Sequence, residues 1–148
     1  MARLFAIIAT LFLASSTVVA APLDFGKILS KCNLDRFNIV TSLAATGVAL
    51  AKIDTSDADM AAAVGTAKSG LVSAGEGIGK IALALISGGA PPADARDQTQ
   101  QGLLNAQQAL AGVTANEKTK ASLAAAQTKL AKTIQDGNDV VADCQPSA

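Results

Sequence analysis

Residues 57–87, DADMAAAVGTAKSGLVSAGEGIGKIALALIS, decide the fold. Met60, Val64, Ala67, Leu71, Ala74, Ile78, Ile81 and Leu85 recur at alternating steps of four and three. That spacing lays one apolar stripe along a single helix and turns it toward neighbouring helices. Ser87-Gly-Gly-Ala-Pro-Pro92 follows at once, joining glycines that suit a helix C-terminus to prolines that cannot continue it.

The helical period continues on both sides. Upstream, a segment from about Leu34 to Ile53 places Phe37, Val40, Ala44, Val48 and Ala51 at helical spacing. An apolar lead-in of Phe25, Ile28, Leu29 and Cys32 forms either its first turns or a separate small helix. Asp54-Thr55-Ser56 ends that segment and offers caps to the next. Downstream, a third segment from about Ala93 to Val113 uses Ala95, Thr99, Leu103, Ala106, Leu110 and Val113. Thr114-Ala-Asn-Glu117 reads as a capping box opening a fourth segment, which runs to about Cys144 through Leu123, Leu130, Ile134 and Val141. No strand-like alternation of useful length competes with these patterns. Short connections favour antiparallel neighbours. The expected fold is therefore all-α: an antiparallel four-helix up-down bundle, or a five-helix one if the lead-in is its own element.

The two cysteines fit that topology. Cys32 opens the first long helix and Cys144 closes the fourth, so an up-down-up-down bundle brings them to the same end. A metal site would need more ligands than two thiols in a chain without histidine. One disulfide is expected, and a closed loop of this size stabilises by roughly 4–5 kcal/mol in the chain-entropy description.

Compartment is read from the N-terminus. Arg3 precedes an apolar run from Leu4 to Leu13, too short for the roughly 20 residues of a bilayer span. Val18-Val19-Ala20 suits cleavage before Ala21, which gives a signal peptide over 1–20 and a single domain over 21–148. No later stretch reads as a transmembrane segment, and Gln145-Pro-Ser-Ala148 lacks the apolar tail of a lipid-anchor signal. A secreted, extracellular protein is expected.

Composition then narrows function. Without Arg3 the chain carries 11 basic and 12 acidic residues, with no Lys/Arg cluster to track phosphates, so nucleic acid is not an expected partner. Histidine is absent, which removes the commonest general base and metal ligand near neutral pH. Paired cysteines leave no thiolate, and no serine has a histidine to activate it. Asp54, Asp57 and Asp59 surround a helix start, where the macrodipole favours negative charge, and they lack the ligand pattern of a calcium loop. Gly75-Glu-Gly-Ile-Gly79 has neither the preceding strand nor the Gly-Lys-Ser/Thr of a phosphate loop. No catalytic residue, metal site or cofactor is expected.

Two features of the 57–87 segment remain. Gly65, Gly70, Gly75, Gly77 and Gly79 all fall in one helix, where each costs up to about 1 kcal/mol relative to alanine. They imply either close contact with another helix or a helix that kinks. Ile81-Ala-Leu-Ala-Leu-Ile86 is apolar all round, and such a helix is usually buried. A small bundle without Trp or Tyr cannot enclose every one of these side chains, so part should line a cavity or an exposed patch. Leu71, Val72, Ile78, Ile81, Leu83, Leu85 and Ile86 are the candidate apolar site, with Lys27, Lys31 or Lys80 as partners for a carboxylate head group.

The chain resembles the fungal hydrophobic surface-binding protein A and cell-wall galactomannoprotein family. The resemblance rests on a secretory leader, an Ala/Leu/Gly-rich domain of amphipathic helices, and the phrases Asn38-Ile-Val-Thr-Ser-Leu-Ala-Ala45 and Ile81-Ala-Leu-Ala-Leu-Ile-Ser-Gly-Gly89. It implies a secreted helical bundle that coats hydrophobic surfaces or encloses lipid chains, in some cases attached to the cell wall or recruiting secreted hydrolases. The chain departs from that group in lacking an obvious Ser/Thr/Pro-rich tail. Two functions are thus expected in competition: binding of lipids (fatty-acyl chains) or apolar surfaces, and a structural or interaction role as a wall component or effector-like factor without a ligand.

With no histidine and no recognisable triad, the purified protein should leave ester, glycoside and peptide substrates unconverted. Turnover that follows the polypeptide through purification, and vanishes on substituting one carboxylate, would refute this.

Overall fold

The computed structural model describes residues 30–144. The leader, the lead-in residues Phe25, Ile28 and Leu29, and Lys27 lie outside the described residues. Four helices follow in order: α1 (Lys31–Ala51), α2 (Ala58–Ile86), α3 (Ala93–Ala111) and α4 (Lys120–Asp143), with no strand among the described residues. They form an all-α four-helix bundle closed by the Cys32–Cys144 disulfide, whose Cα atoms are 4.9 Å apart.

Local chemistry sets the boundaries. The Ser30 side chain accepts from the Asn33 N–H, and Asp57 accepts from the Met60 N–H at 2.9 Å, each satisfying an otherwise orphaned donor. α2 ends where Gly88 takes φ 78°, the left-handed conformation glycine tolerates. There the Gly89 N–H donates to the Ala84 carbonyl at 2.8 Å and the Gly88 N–H to Leu85 at 3.1 Å, a Schellman closure. The fourth helix departs from expectation. Its capping box is not Thr114 with Glu117 but Asn116 with Thr119. Asn116 Oδ1 accepts from the backbone N–H groups of Lys118 and Thr119 at 3.0 Å, while Thr119 Oγ1 accepts from the Asn116 N–H. Val113 and Ala115 pack on the core, so Thr114 between them is turned outward and cannot cap.

The helices associate as two antiparallel pairs. α2 and α3 make the closest pair, through residues without bulk. A Cβ added to Gly70 would lie 2.5 Å from the Gly102 carbonyl oxygen, and one added to Gly102 would lie 2.5 Å from the Gly70 oxygen. At Gly77 a Cβ would meet Thr99 Oγ1 and stand 2.6 Å from the Ala95 oxygen. Close contact thus accounts for Gly70 and Gly77. Gly65 and Gly79 face open space, and α2 runs unbroken through all five glycines. α1 and α4 form the second pair, joined by the disulfide, by a Lys31–Asp143 ion pair beside it, and by the buried Thr46 and Thr133 hydroxyls 2.9 Å apart.

That hydroxyl pair explains a second departure. Of the expected stripe of α1, Phe37, Ala44, Val48 and Ala51 face outward, Phe37 66% and Val48 58% exposed, and Val40 is exposed at the edge of the space between the helix pairs. The buried face is Asp35, Ile39, Ser42, Thr46 and Leu50. Its polar members are satisfied locally, Ser42 by the Ile39 carbonyl and Thr46 by Ser42 and Thr133, so hydrophobicity alone misplaces the register. The two pairs meet over the end that carries the α1–α2 and α3–α4 connections. There Leu50, Ile53, Met60, Val64, Leu110, Leu123 and Leu130 build the core.

Asp35 is the strained member of the disulfide end. It is buried, and its Oδ2 has no hydrogen-bond partner among the described residues. Burial first, and then a hydrogen bond shared with the Asp143 carboxyl, raise its pKa above the usual 3.8. Asp143 is held below that value, chiefly by its hydrogen bond with Lys31.

Two outcomes follow from this packing. Gly70→Ala and Gly102→Ala should each cost about 1–3 kcal/mol by forcing a methyl group into a closed seam. Gly65→Ala, on an open face, should instead add about 0.5–1 kcal/mol; urea midpoints of the variants compare the two directions. The second outcome concerns pH. Because the folded-state pKa of Asp35 is raised, its contribution to stability is complete below the unfolded pKa and is lost as pH rises through the folded one. Asp143 has the opposite sign, contributing above its unfolded pKa and losing that contribution as pH falls through the lowered folded value. Asp35→Asn retains an amide donor for Asp143 but cannot ionise. Its Tm relative to wild type should therefore climb as pH rises from the unfolded-state pKa through the higher folded-state one; a difference independent of pH would remove the assignment.

Candidate functional site: an apolar cleft between the helix pairs

At the disulfide end the packing between the two pairs gives way to a cleft of about 620 Å³. All four helices contribute. α1 supplies Arg36, Ile39 and Val40; α2 supplies Ile78, Ile81, Ala82 and Leu85; α3 supplies Arg96, Thr99, Gln100, Leu103 and Leu104. α4 supplies Ile134, Gly137, Asn138, Val140, Val141 and Ala142, with Cys144 and Pro91 at the border. The volume lies in the range of pockets that accept small apolar ligands.

The cleft follows from what the residues cannot fill. Gly70, Gly77 and Gly102 draw α2 onto α3, so the bulky side chains of α2 are displaced toward α1 and α4. On α4, Gly137 adds no side chain to the lining. Phe37 is the one aromatic residue among those described, and it points outward, leaving no ring to span the gap. The inner lining residues Ile39, Leu103 and Ile134 adjoin the closed core, and the outer ones follow the helices toward the disulfide.

The candidate apolar residues divide three ways. Ile78, Ile81 and Leu85 line the cleft together. Leu71 belongs to the closed core. Val72, Leu83 and Ile86 lie on the outside, Leu83 70% and Ile86 84% exposed. The run Ile81–Ile86 thus presents one face to the cleft and one to solvent. Exposed large hydrophobic residues are concentrated at this end, with Leu34, Phe37, Val40, Leu83, Ile86 and Val141 all on the helix halves nearest the disulfide. By length and composition α2 could even cross a bilayer, contrary to the reading of the sequence, although its glycine face is seated on α3.

Of the proposed head-group lysines, Lys80 donates to Gln98 Oε1 at 2.7 Å and Lys31 pairs with Asp143. Neither lines the cleft. The charged residues that do are Arg36 and Arg96, which the sequence reading passed over because isolated arginines on helices carry no signal of their own. Nothing in the lining is arranged as a nucleophile and base: the Thr99 hydroxyl is donated to the Ala95 carbonyl at 2.9 Å, and no cysteine among the described residues is free. Among the described residues no cluster of Cys, Asp and Glu is placed to hold a metal ion. A second depression, about 400 Å³ along Thr66, Ser69, Ser73, Asn105, Gln108 and Ala109, is a shallow groove over the α2–α3 seam. Comparison of the chain with family models, with curated proteins and with solved structures gave no match.

Proposed function

We propose that this protein is a secreted, non-enzymatic binder of fatty-acyl chains and apolar surfaces. The observation that carries the reading is the cleft itself, apolar along its length and bounded by Ile78, Ile81 and Leu85 on one side and Ile39, Ile134 and Val140 on the other. Apolar space of this kind takes up hydrocarbon without polar chemistry, each buried methylene contributing roughly 0.8 kcal/mol. Adsorption to apolar surfaces is supported by the outward-facing Leu83, Ile86 and Phe37, next to a stretch from Ile81 to Ala93 without a charged residue. The disulfide supports an oxidising, extracellular setting. The likeness to hydrophobic surface-binding and cell-wall proteins belongs to the same proposal, as do a cell-wall polymer or a secreted hydrolase as partner.

A second reading, an interaction protein that holds no ligand, draws on one specific observation. Leu34, Phe37 and Val48 form an exposed apolar stripe on α1, away from the cleft side chains of α2. Such a face suits a protein partner as well as an apolar surface.

Ile81→Asp or Leu85→Asp should reduce acyl-probe binding by about tenfold or more, since a carboxylate in the cleft must be desolvated when a chain enters. Leu83→Asp, on the outer face of the same helix, should leave that binding unchanged and weaken adsorption to hydrophobic beads. Far-UV circular dichroism establishes that each variant is folded. Unchanged binding by folded Ile81→Asp and Leu85→Asp would move the site elsewhere. Failure of wild type to bind any acyl chain or apolar surface would leave the interaction reading.

A further inference from the structure

The lining of the cleft is electrostatically one-sided in a chain that is not. The whole sequence carries 12 basic and 12 acidic residues, yet among the described residues the charged ones on the cleft are two arginines, with no aspartate or glutamate. We propose that the cleft selects single-chain amphiphiles with an anionic head group, which Arg36 and Arg96 bind while the acyl chain runs inward toward Ile39, Leu103 and Ile134. This rests on the acyl-binding reading and names the ligand class of the same site.

Placement supports the pairing. Arg36 lies in the second turn of α1 and Arg96 at the end of the first turn of α3, so both guanidinium groups belong to the disulfide end and to opposite helix pairs. Among the described residues the ion pairs are Lys31–Asp143 and Lys132–Asp136, and neither arginine takes part in one. Arg36 is half-buried and donates to the neutral Asn33 Oδ1 at 3.1 Å. Of the acidic groups at the disulfide end, Asp143 pairs with Lys31 and Asp139 accepts from the Gln135 amide at 2.8 Å. Arg96 is exposed, and a guanidinium outside the ion pairs of the described residues favours an incoming anion, its planar fork suiting carboxylate, sulfate and phosphate oxygens alike. The neutral side chains of Gln100 and Asn138 stand in the same lining as further donors. The shared chemistry is therefore a single anionic head on one alkyl chain.

The protein lacks Trp and Tyr, so binding is read by displacement of the neutral apolar dye N-phenyl-1-naphthylamine. Hexadecanoate and hexadecyl sulfate should displace the dye at concentrations at least about tenfold below hexadecanol, the difference a charge-assisted hydrogen bond supplies. Hexadecyltrimethylammonium should be the weakest of the set. In R36Q/R96Q the preference for the anions over hexadecanol should fall to about parity, and R36K should retain most of it. Added salt should narrow the preference in wild type. A preference for hexadecanoate but not for the sulfate would confine the site to carboxylates. Equal affinity for hexadecanoate and hexadecanol in wild type, or an undiminished preference in R36Q/R96Q that is folded by circular dichroism, would overturn the proposal while leaving acyl binding intact. If neither amphiphile displaces the dye, both the proposal and the acyl-binding reading fail.

Discussion

The approach of α2 to α3 through Gly70, Gly77 and Gly102 constrains everything else in the molecule. Two backbones come together only where neither helix carries a side chain between them, so the α2 face toward α3 is given over to glycine and alanine. A 29-residue helix that is mostly apolar must then place its Leu, Ile and Val residues on its remaining faces. Toward the connection end, Met60, Val64 and Leu71 meet Leu50, Leu123 and Leu130, and the core closes. Toward the disulfide end, Ile78, Ile81 and Leu85 line a cleft together with Gly137, Val140 and Ala142 of α4. The seam that makes one pair rigid is thus what leaves the space between the pairs unfilled.

The second pair answers with a different device. α1 and α4 share a buried face that is partly polar, with Ser42, Thr46 and Thr133 satisfied by helix carbonyls and by each other. Such a face gains less from burial than one lined with leucine. The disulfide compensates at the end away from that core, tying the first turn of α1 to the residue immediately after α4. The same link keeps Asp35 under cover beside Asp143, a cost in charge burial accepted where packing is fixed by other means.

How much of this was legible in the sequence depended on whether apolar period and burial coincide. In α2 and α3 they do, and Met60 to Ala74 and Ala95 to Leu110 were read on the correct faces. In α1 they do not: the hydroxyl-bearing face is inside and Phe37 and Val48 are outside, because local hydrogen bonds make Ser42 and Thr46 acceptable in the interior. Glycine spacing announced a close contact or a kink but could not say which, since the answer depends on Gly102 of another helix. The cleft was foreshadowed only in its α2 wall. Whether Ile81 or its neighbour Leu83 faces inward is a matter of rotation about the helix axis, and an all-apolar run carries no mark of that rotation. Arg36 and Arg96, 60 residues apart in the chain, become a pair only once α1 and α3 stand at the same end.

The two halves of the proposed function, lipid uptake and surface adsorption, draw on one feature of the sequence. From Ile81 to Ala93 the chain has no charge, and within it Ile81 and Leu85 turn to the cleft while Leu83 and Ile86 turn to water. A helix of this kind cannot be soluble on both apolar faces without help. On the proposed function, hydrocarbon in the cleft would complete the cover of the inner face, and an apolar surface would cover the outer one. Both exposures sit at the same end, beside Phe37 and Val141. Contact with a lipid assembly through Leu83 and Ile86 would bring the cleft to the place where an acyl chain can leave that assembly without crossing water. On this proposal adsorption and uptake are successive uses of opposite sides of one helix, and the apolar excess of α2 is the physical basis of both.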